Sequence, residues 1–209
     1  MKKLILVALA CWGAYYLYTT YDQPAGIYTE DGAPVTLLFT SPDCGAPCKD
    51  MRSRLKRHID FDELNMIDQG EGERLYREYG GNGWVPYIAM GRQRIIGPDS
   101  NGELLSAIAI EYGPDKLSRS AQRALARNFN PSGEPVVVMY ATESCGYCRK
   151  AERYFRERGI AYLERDIEKD PSARRDFETL VGTGTPLLFH GYERMVGFDE
   201  RKVKRKLRL

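Results

Sequence analysis

The chain repeats one pattern of prolines, cysteines and glycines at an interval of 100 to 101 residues, and this repeat limits the folds open to it. In each half, a proline precedes the first cysteine by ten residues, and the second cysteine precedes another proline by 38 residues. Glycines follow that proline at offsets of five and eleven. The matched positions are Pro34, Cys44, Cys48, Pro86, Gly91 and Gly97 in the first half, and Pro135, Cys145, Cys148, Pro186, Gly191 and Gly197 in the second. The halves therefore represent two copies of one structural unit, with one extra residue between the cysteines of the first copy.

Hydrophobic patterning predicts that each unit is an α/β structure. The apolar runs 35–40 and 136–141 suit buried strands, and a cysteine pair follows each run at the start of a helix. In the second half, the predicted order of elements is β-α-β-α-β-β-α. These elements are strand 136–141, a helix that ends near Arg158, strand 161–167, a helix that begins at Asp170-Pro171, a hairpin of 185–190 and 193–196 around Gly191, and a last helix capped by Asp199. This order predicts a mixed sheet flanked by helices in each unit.

The pair Cys145-Gly-Tyr-Cys148 carries the strongest chemical signal in the chain. A C-x-x-C pair after a strand in a β-α-β setting is typical of thioredoxin-like redox proteins. At the start of a helix, unpaired backbone N–H groups and the positive end of the helix dipole favour a thiolate over a thiol. The second cysteine lies within disulfide reach on the same side of the helix. We therefore expect Cys145 to be the attacking nucleophile and Cys148 the resolving thiol; half of a zinc site and a structural disulfide are the alternatives.

Residues 134–209 resemble glutaredoxins and the related redoxin that serves ribonucleotide reductase. The residues that carry the resemblance are Cys145-Gly-Tyr-Cys148, Thr185-Pro186 and Gly197-Phe198-Asp199. The resemblance implies that Pro186 follows a cis peptide bond and faces the cysteines, and that the backbone of Thr185 pairs with a substrate strand. It also implies that Tyr147 shapes the pocket beside Cys145, and that the glycine–phenylalanine–aspartate run belongs to the substrate-binding surface. The implied substrates are protein disulfides or small thiols.

Two departures from the family bear on the thiol reductant. Glutathione-using members usually carry a lysine or arginine three residues before the first cysteine, and here that residue is Thr142. They also carry a double glycine before the acidic residue that holds glutathione, whereas here Gly197 is followed by Phe198. This pair is more like the ribonucleotide-reductase redoxin, which takes electrons from thioredoxin reductase. We therefore expect glutathione, as a co-substrate, or a thioredoxin-type system to be the reductant, and we predict no bound cofactor and no metal.

The first half resembles a thioredoxin-like domain more weakly, over residues 27–112. Its cis-proline loop would be Trp84-Val85-Pro86-Tyr87, with Val85 and Pro86 expected to contact the substrate, and Cys44-Gly-Ala-Pro-Cys48 has three residues between its cysteines. A helical i, i+4 pair is near the distance that a disulfide tolerates, so this dithiol can also cycle. C-x-x-x-C also occurs in thioredoxin-fold proteins that deliver copper, which makes a copper or zinc chaperone the alternative function. That function needs a distant histidine ligand, and His58 is interpreted as a surface residue. A structural disulfide or an inert pair is the remaining interpretation of these two cysteines.

The first 25 residues predict export from the cytoplasm. Met1-Lys-Lys precedes an apolar run over 4–14 that continues into tyrosines, as in an export signal. The first interpretation is an uncleaved signal anchor in the inner membrane, with the domains in the periplasm. Cleavage after Ala10 or Ala14 would release a periplasmic protein, and acylation of Cys11 would make a lipoprotein. A buried core helix in a cytosolic protein is the remaining alternative.

Composition adds few constraints to this picture. The 209 residues suffice for two small domains, and a net charge of +2 gives the whole chain no strong electrostatic partner. The basic end 201–209 is interpreted as a solvated last helix, and acids such as Glu63 as surface residues. The predicted parts are a signal or anchor over 1–25, a thioredoxin-like domain over 26–112, a helical linker over 113–133 and a glutaredoxin-like domain over 134–209. The predicted activity is thiol–disulfide exchange at the second cysteine pair, relayed with the first, without a nucleic acid partner.

Overall fold

The computed structural model describes residues 26–67, 70–98 and 100–207, which divide into two compact units. The first unit comprises 26–52 and 60–97, and the second comprises 53–59 and 98–207. The predicted export signal over 1–25 lies outside the described residues. No helix in the described part of the chain is long and apolar enough to cross a membrane.

The first unit contains four strands, which form one sheet. They are β1 (Thr36–Thr40), β2 (Asp62–Asn65), β3 (Tyr87–Met90) and β4 (Gln93–Ile96). The sheet order is β2-β1-β3-β4: β1 pairs parallel with β2 and antiparallel with β3, and β3 forms a hairpin with β4. Helix α1 (Gly45–Leu55) follows β1, and helix α2 (Glu71–Glu78) follows β2. All five residues of β1 are buried, as the apolar run predicts for a central strand.

The second unit repeats this sheet and adds two helices before it. Its strands are β5 (Val137–Ala141), β6 (Tyr162–Asp166), β7 (Leu187–His190) and β8 (Glu193–Val196). Its helices are α3 (Asn101–Glu111), α4 (Arg119–Ala126), α5 (Gly146–Glu157), α6 (Pro171–Thr179) and α7 (Glu200–Lys206). The sheet order β6-β5-β7-β8 has the same parallel and antiparallel pairings as the first sheet. The predicted order β-α-β-α-β-β-α and the predicted pair of thioredoxin-like folds are confirmed.

Helices in the second unit begin where capping residues stand in the sequence. Asp170 accepts a hydrogen bond from the Ser172 N–H at 2.7 Å before α6, and Asp199 accepts one from the Lys202 N–H at 2.8 Å before α7. The Ser118 side chain likewise accepts from the Ala121 N–H, so α4 starts there, after a short 3-10 turn. The basic side chains of α7 are exposed while Val203 and Leu207 are buried, as expected of a solvated last helix.

The two units also share the backbone conformation around the proline that precedes each β-hairpin. The Val85–Pro86 and Thr185–Pro186 bonds are both cis, as the resemblance implies for the second. The Gly97 N–H donates to the Pro86 carbonyl at 2.9 Å, and the Gly197 N–H donates to the Pro186 carbonyl at 2.7 Å. Gly97 and Gly197 have φ angles of 83° and 76°, which lie in the left-handed region that glycine adopts readily. The glycine eleven residues after each proline therefore recurs because the hairpin closes back on that proline.

A closed apolar core supports the second cysteine pair. Met139 of β5, Phe155 of α5 and Val203 of α7 have no exposed surface, and Cys148 packs among them. Burying side chains of this size stabilises the fold by roughly 1.5–3 kcal/mol each. The start of α5 is therefore held on a rigid layer of side chains.

Candidate active site: two cysteine pairs at matched sheet ends

The second unit holds its cysteine pair between the end of β5 and the start of α5. Cys145 is the N-cap residue of α5, and its Sγ accepts a hydrogen bond from the Cys148 backbone N–H at 3.0 Å. The two cysteines form a disulfide, with their Cα atoms 5.2 Å apart. Cys145 is half-buried, whereas Cys148 is 1% exposed. A partner molecule can therefore reach the first sulfur and not the second.

The same geometry favours an anion on Cys145 once the disulfide is reduced. The Cys148 N–H is one of the first N–H groups of α5, which have no acceptor within the helix. The positive end of the helix dipole is directed at the same sulfur. Both effects stabilise a thiolate, which is the form of cysteine that attacks a disulfide.

An exposed rim borders this pair. The Tyr147 ring, between the two cysteines, is 57% exposed, and Lys150 Nζ lies 4.9 Å from its centre. Arg149 Nη1 donates to the Glu143 carbonyl at 3.1 Å. The rim therefore offers one aromatic face and two cations to a molecule that approaches Cys145.

The predicted substrate-binding loop lies at the same end of the sheet as Cys145. β5 pairs with β7 so that Tyr140 is opposite Leu187, the residue that follows Pro186. Pro186 is buried and Thr185 is half-buried. The sites that the structure brings to this sheet end are Cys145, Tyr147, Cys148, Thr185, Pro186 and Gly197.

Phe198 and Asp199 make structural contacts in the second unit. The Phe198 ring packs against the core with its centre 5.6 Å from that of Tyr154. Asp199 caps α7. Contact of these two residues with a substrate stays a prediction.

The first unit holds Cys44 and Cys48 with one more residue between them than the second pair has. A 3-10 turn, Pro42–Cys44, precedes α1, and Gly45 adopts a φ of 57° between the two. This left-handed residue takes up the extra length, so a disulfide still forms with its Cα atoms 5.7 Å apart. Cys48 is 3% exposed and Cys44 is half-buried, as in the second pair. Within the described residues, however, no backbone N–H donates to Cys44 Sγ.

An ion pair that the sequence did not reveal lies close to Cys48. Arg52 Nε and Nη2 donate to the Glu63 carboxylate at 2.6 and 2.5 Å, and Thr40 Oγ1 donates to it at 3.0 Å. The hydrogen bond to Glu63 raises the pKa of Arg52. Cys48, Thr40 and Arg52 line one open depression of about 320 Å³. The only sequence sign of this pair is that Arg52 stands four residues after Cys48, on the same side of α1.

The second unit carries like charges where the first carries this ion pair. Glu152 stands four residues after Cys148, and Glu164 occupies the strand position that matches Glu63. Burial raises the pKa of Glu164, and repulsion from Glu152 raises it further. The two cysteine pairs therefore share a backbone frame but have different electrostatic surroundings.

No cluster of three or more histidine, cysteine, aspartate or glutamate side chains suited to a metal ion occurs in the described part of the chain. His58 is half-buried, and its Nδ1 lies 2.9 Å from the Lys116 carbonyl oxygen. His190 Nδ1 lies 2.6 Å from the Leu207 carbonyl oxygen. Each imidazole is thus engaged with the backbone.

The chain is similar to known redox proteins. Residues 137–194 match the Glutaredoxin family model. No curated protein matches the chain. Similar solved structures are the thioredoxin-like protein BC3987, at 26% identity over 34% of this chain and 99% of that chain (TM-score 0.32), and the glutaredoxin grx-1 from Archaeoglobus fulgidus, at 20% identity over 35% and 86% (TM-score 0.32). A protein disulfide oxidoreductase from Aeropyrum pernix K1 is 13% identical over 84% of each chain (TM-score 0.34). The match at 137–194 confirms the glutaredoxin resemblance predicted from the sequence, and with the two cysteine pairs it supports a thiol–disulfide oxidoreductase.

Proposed function

We propose that this chain exchanges disulfides with its substrates through Cys145, with Cys148 as the resolving thiol. The observation that carries the proposal is the 3.0 Å hydrogen bond from the Cys148 N–H to the half-buried Cys145 Sγ, together with the burial of Cys148. One sulfur can thus meet a substrate as an anion, while the other reacts only with its neighbour.

The exchange proceeds in two displacement steps. In the reductive direction, the Cys145 thiolate attacks one sulfur of the substrate disulfide, a mixed disulfide forms, and the other substrate sulfur leaves as a thiolate. Cys148 then releases its proton to solvent and attacks Cys145 Sγ, which expels the second substrate thiolate. Two electrons have passed from the dithiol to the substrate, and the reverse sequence oxidises a substrate dithiol.

Cys44 and Cys48 form the second dithiol of the proposed enzyme. They have the same half-buried and buried arrangement as the second pair, so this pair can also hold or release two electrons. We propose that the two dithiols exchange electrons with each other and that a thiol reductant, either glutathione or a thioredoxin-type system, completes the cycle. With the predicted N-terminal anchor, this chemistry would take place on protein thiols and disulfides at the periplasmic side of the membrane.

Trapping of the mixed disulfide tests the assignment of Cys145. In a full chain that carries Cys44→Ser and Cys48→Ser, the further change Cys148→Ser should accumulate an adduct with a disulfide substrate that dithiothreitol releases. The matched control, Cys145→Ser in the same background, should form none. An adduct that persists in the control and is missing from the Cys148→Ser protein would reverse the two roles.

Steady-state turnover tests the relay and identifies the reductant. Cys44→Ser with Cys48→Ser should slow the reduction of a protein disulfide if electrons pass through the first pair, and unchanged turnover refutes the relay. Glutathione with glutathione reductase, compared with NADPH and thioredoxin reductase, shows which reductant supports the cycle.

A further inference from the structure

Each unit has, among its described residues, one aromatic side chain that is more than half exposed. Trp84, two residues before Pro86, is 66% exposed, more than any other large hydrophobic residue of the described chain. Tyr147, between the second pair of cysteines, follows at 57%. Tryptophan and tyrosine are enriched at surfaces that bind other proteins. The two units present these rings from different loops: the first from the cis-proline loop and the second from the helix start.

The topology places Trp84 at the reactive end of the first sheet. β3 begins at Tyr87, which is opposite Phe39 near the end of β1. Cys44 follows the end of β1 by four residues, and Trp84 precedes the start of β3 by three. Both residues therefore lie at the same end of the central strand pair.

Hydrogen bonds with a buried tyrosine fix the backbone around Trp84. Tyr76 is 3% exposed, and its Oη accepts a hydrogen bond from the Gly83 N–H at 2.7 Å. The same Oη donates to the Trp84 carbonyl at 3.0 Å. These two bonds fix the loop on both sides of the Cα atom of Trp84 while the indole stays in solvent. A ring presented on a fixed backbone loses little conformational entropy when it binds a partner.

The second unit has space for a side chain at the matching position but carries glycine there. The position that matches Trp84 is Gly184, where an added Cβ would lie 3.6 Å from Val196 Cγ1, an ordinary contact. The residue that matches Val196 is Ile96, which is 45% exposed. The second unit adopts the same fold with glycine at this position, so the fold does not require the indole of Trp84.

We infer that Trp84, together with Ile96, determines the substrate specificity of the first dithiol by binding an apolar side chain next to the reacting cysteine of a polypeptide disulfide. This inference rests on the proposed function and names the substrate class of Cys44 and Cys48. In the reaction, the Cys44 thiolate attacks the substrate cysteine, whose disulfide partner leaves as a thiolate. Cys48 releases its proton and attacks Cys44 Sγ, which expels the substrate thiolate and transfers two electrons in total.

A single-turnover assay on the full chain tests the role of Trp84. The chain carries Cys11→Ser, Cys145→Ser and Cys148→Ser, so that only the first dithiol can react, and it is reduced before mixing. Two peptide disulfides that differ only in phenylalanine or serine beside the cysteine are compared, and each rate is divided by that for bis(2-hydroxyethyl) disulfide. An aromatic contact adds about 0.5–1.5 kcal/mol, so the phenylalanine peptide should react about 2- to 12-fold faster.

Substitutions separate a specificity role from a structural one. Trp84→Gly, which copies the second unit, should bring the ratio close to one, and Trp84→Phe should keep most of it. Tyr28→Ala, at the opposite end of β1 beside the Tyr28–Pro34 bridge, should not change the ratio. Conversely, Gly184→Trp in a chain with Cys44→Ser and Cys48→Ser should create a phenylalanine preference at the second dithiol.

The outcomes distinguish this inference from the proposed function. A peptide ratio that is the same in Trp84→Gly and in the parent overturns the role of Trp84 while leaving the exchange activity intact. Failure of the reduced first dithiol to react with any of the three disulfides overturns both the inference and the part that Cys44 and Cys48 take in the proposed function.

Discussion

Replacing Tyr140 by phenylalanine should protect the protein against alkali. Tyr140 lies on the central strand β5 with no exposed surface, and its Oη is buried without a hydrogen-bond partner among the described residues. Burial raises the pKa of this phenol to about 12. The nearby Arg165 guanidinium has the opposite effect, but it is smaller than that of burial. In the unfolded chain, the same group titrates near 10. The folded protein therefore keeps the Tyr140 proton at a pH where the unfolded chain loses it.

The size of the effect follows from these two values. A pKa that is raised in the folded state contributes stability that is complete below pH 10 and is lost as the pH rises through about 12. At pH 11, ionisation of the unfolded chain should cost the parent about 1.4 kcal/mol relative to Tyr140→Phe, and the limit above pH 12 is about 2.7 kcal/mol. At pH 8, the substitution should be neutral or stabilising by up to about 1 kcal/mol, because it removes a buried hydroxyl that has no partner.

Urea unfolding of the two proteins at pH 8 and pH 11, with both disulfides oxidised, measures this difference. The other tyrosines with raised pKa values are present in both proteins, so their contributions cancel. If the two free energies of unfolding fall in parallel between pH 8 and pH 11, Tyr140 ionises equally in the folded and unfolded states, and burial does not hold its proton.

Three further predictions concern the second unit. Arg194→Met should lower the free energy of unfolding by about 2 kcal/mol, because the buried guanidinium donates to a backbone carbonyl at 2.7 Å and to Glu103 at 3.0 Å; an unchanged urea midpoint would contradict this. Asp199→Ala should cost about 1 kcal/mol by removing the cap of α7, and Asp199→Asn should cost less, both measured by thermal unfolding; equal losses would mean that the cap is not the cause. Glu152→Gln should lower the raised pKa of Glu164 in an NMR titration, and an unmoved titration would rule out the repulsion between them.

Local chemistry allowed much of the fold to be predicted. Pro171 and the caps Asp170 and Asp199 set the starts of their helices, and Gly159, with a φ of 63°, follows the end of α5 as predicted. The family resemblance implied a cis proline in each half, at positions that the repeat aligns, and both prolines are cis. These features depend on residues that are close in the sequence, or on a pattern that occurs twice.

Contacts between residues far apart in the sequence could not be predicted in this way. Arg194 lies on β8, where a charged residue would usually face solvent, yet it is 3% exposed. Its partner Glu103, on α3, is 91 residues away in the sequence, and this contact helps to join 98–112 to the second unit. The Arg52–Glu63 pair spans only 11 residues, but its members lie on a helix and on the next strand, so their contact depends on how the helix packs against the sheet.

The extra residue between Cys44 and Cys48 changes the local backbone in a way that the repeat does not predict. The second pair predicts that the first cysteine caps its helix, but Gly45 stands between the 3-10 turn that ends at Cys44 and the body of α1. One inserted residue thus keeps the disulfide and removes the hydrogen bond to the first sulfur. The sequence shows the insertion, and only the folded backbone shows its consequence.

Ultraviolet titration of the Cys145 thiol shows whether the start of α5 holds this sulfur as an anion. In a reduced full chain with serine at positions 11, 44, 48 and 148, the absorbance at 240 nm reports the Cys145 thiolate alone, and the backbone N–H of residue 148 remains as the donor. We expect the absorbance step to be centred below neutral pH, within the range of roughly 3.5–7.5 seen for cysteines at helix starts. A step near 8.5, as for an unperturbed cysteine, would contradict this expectation.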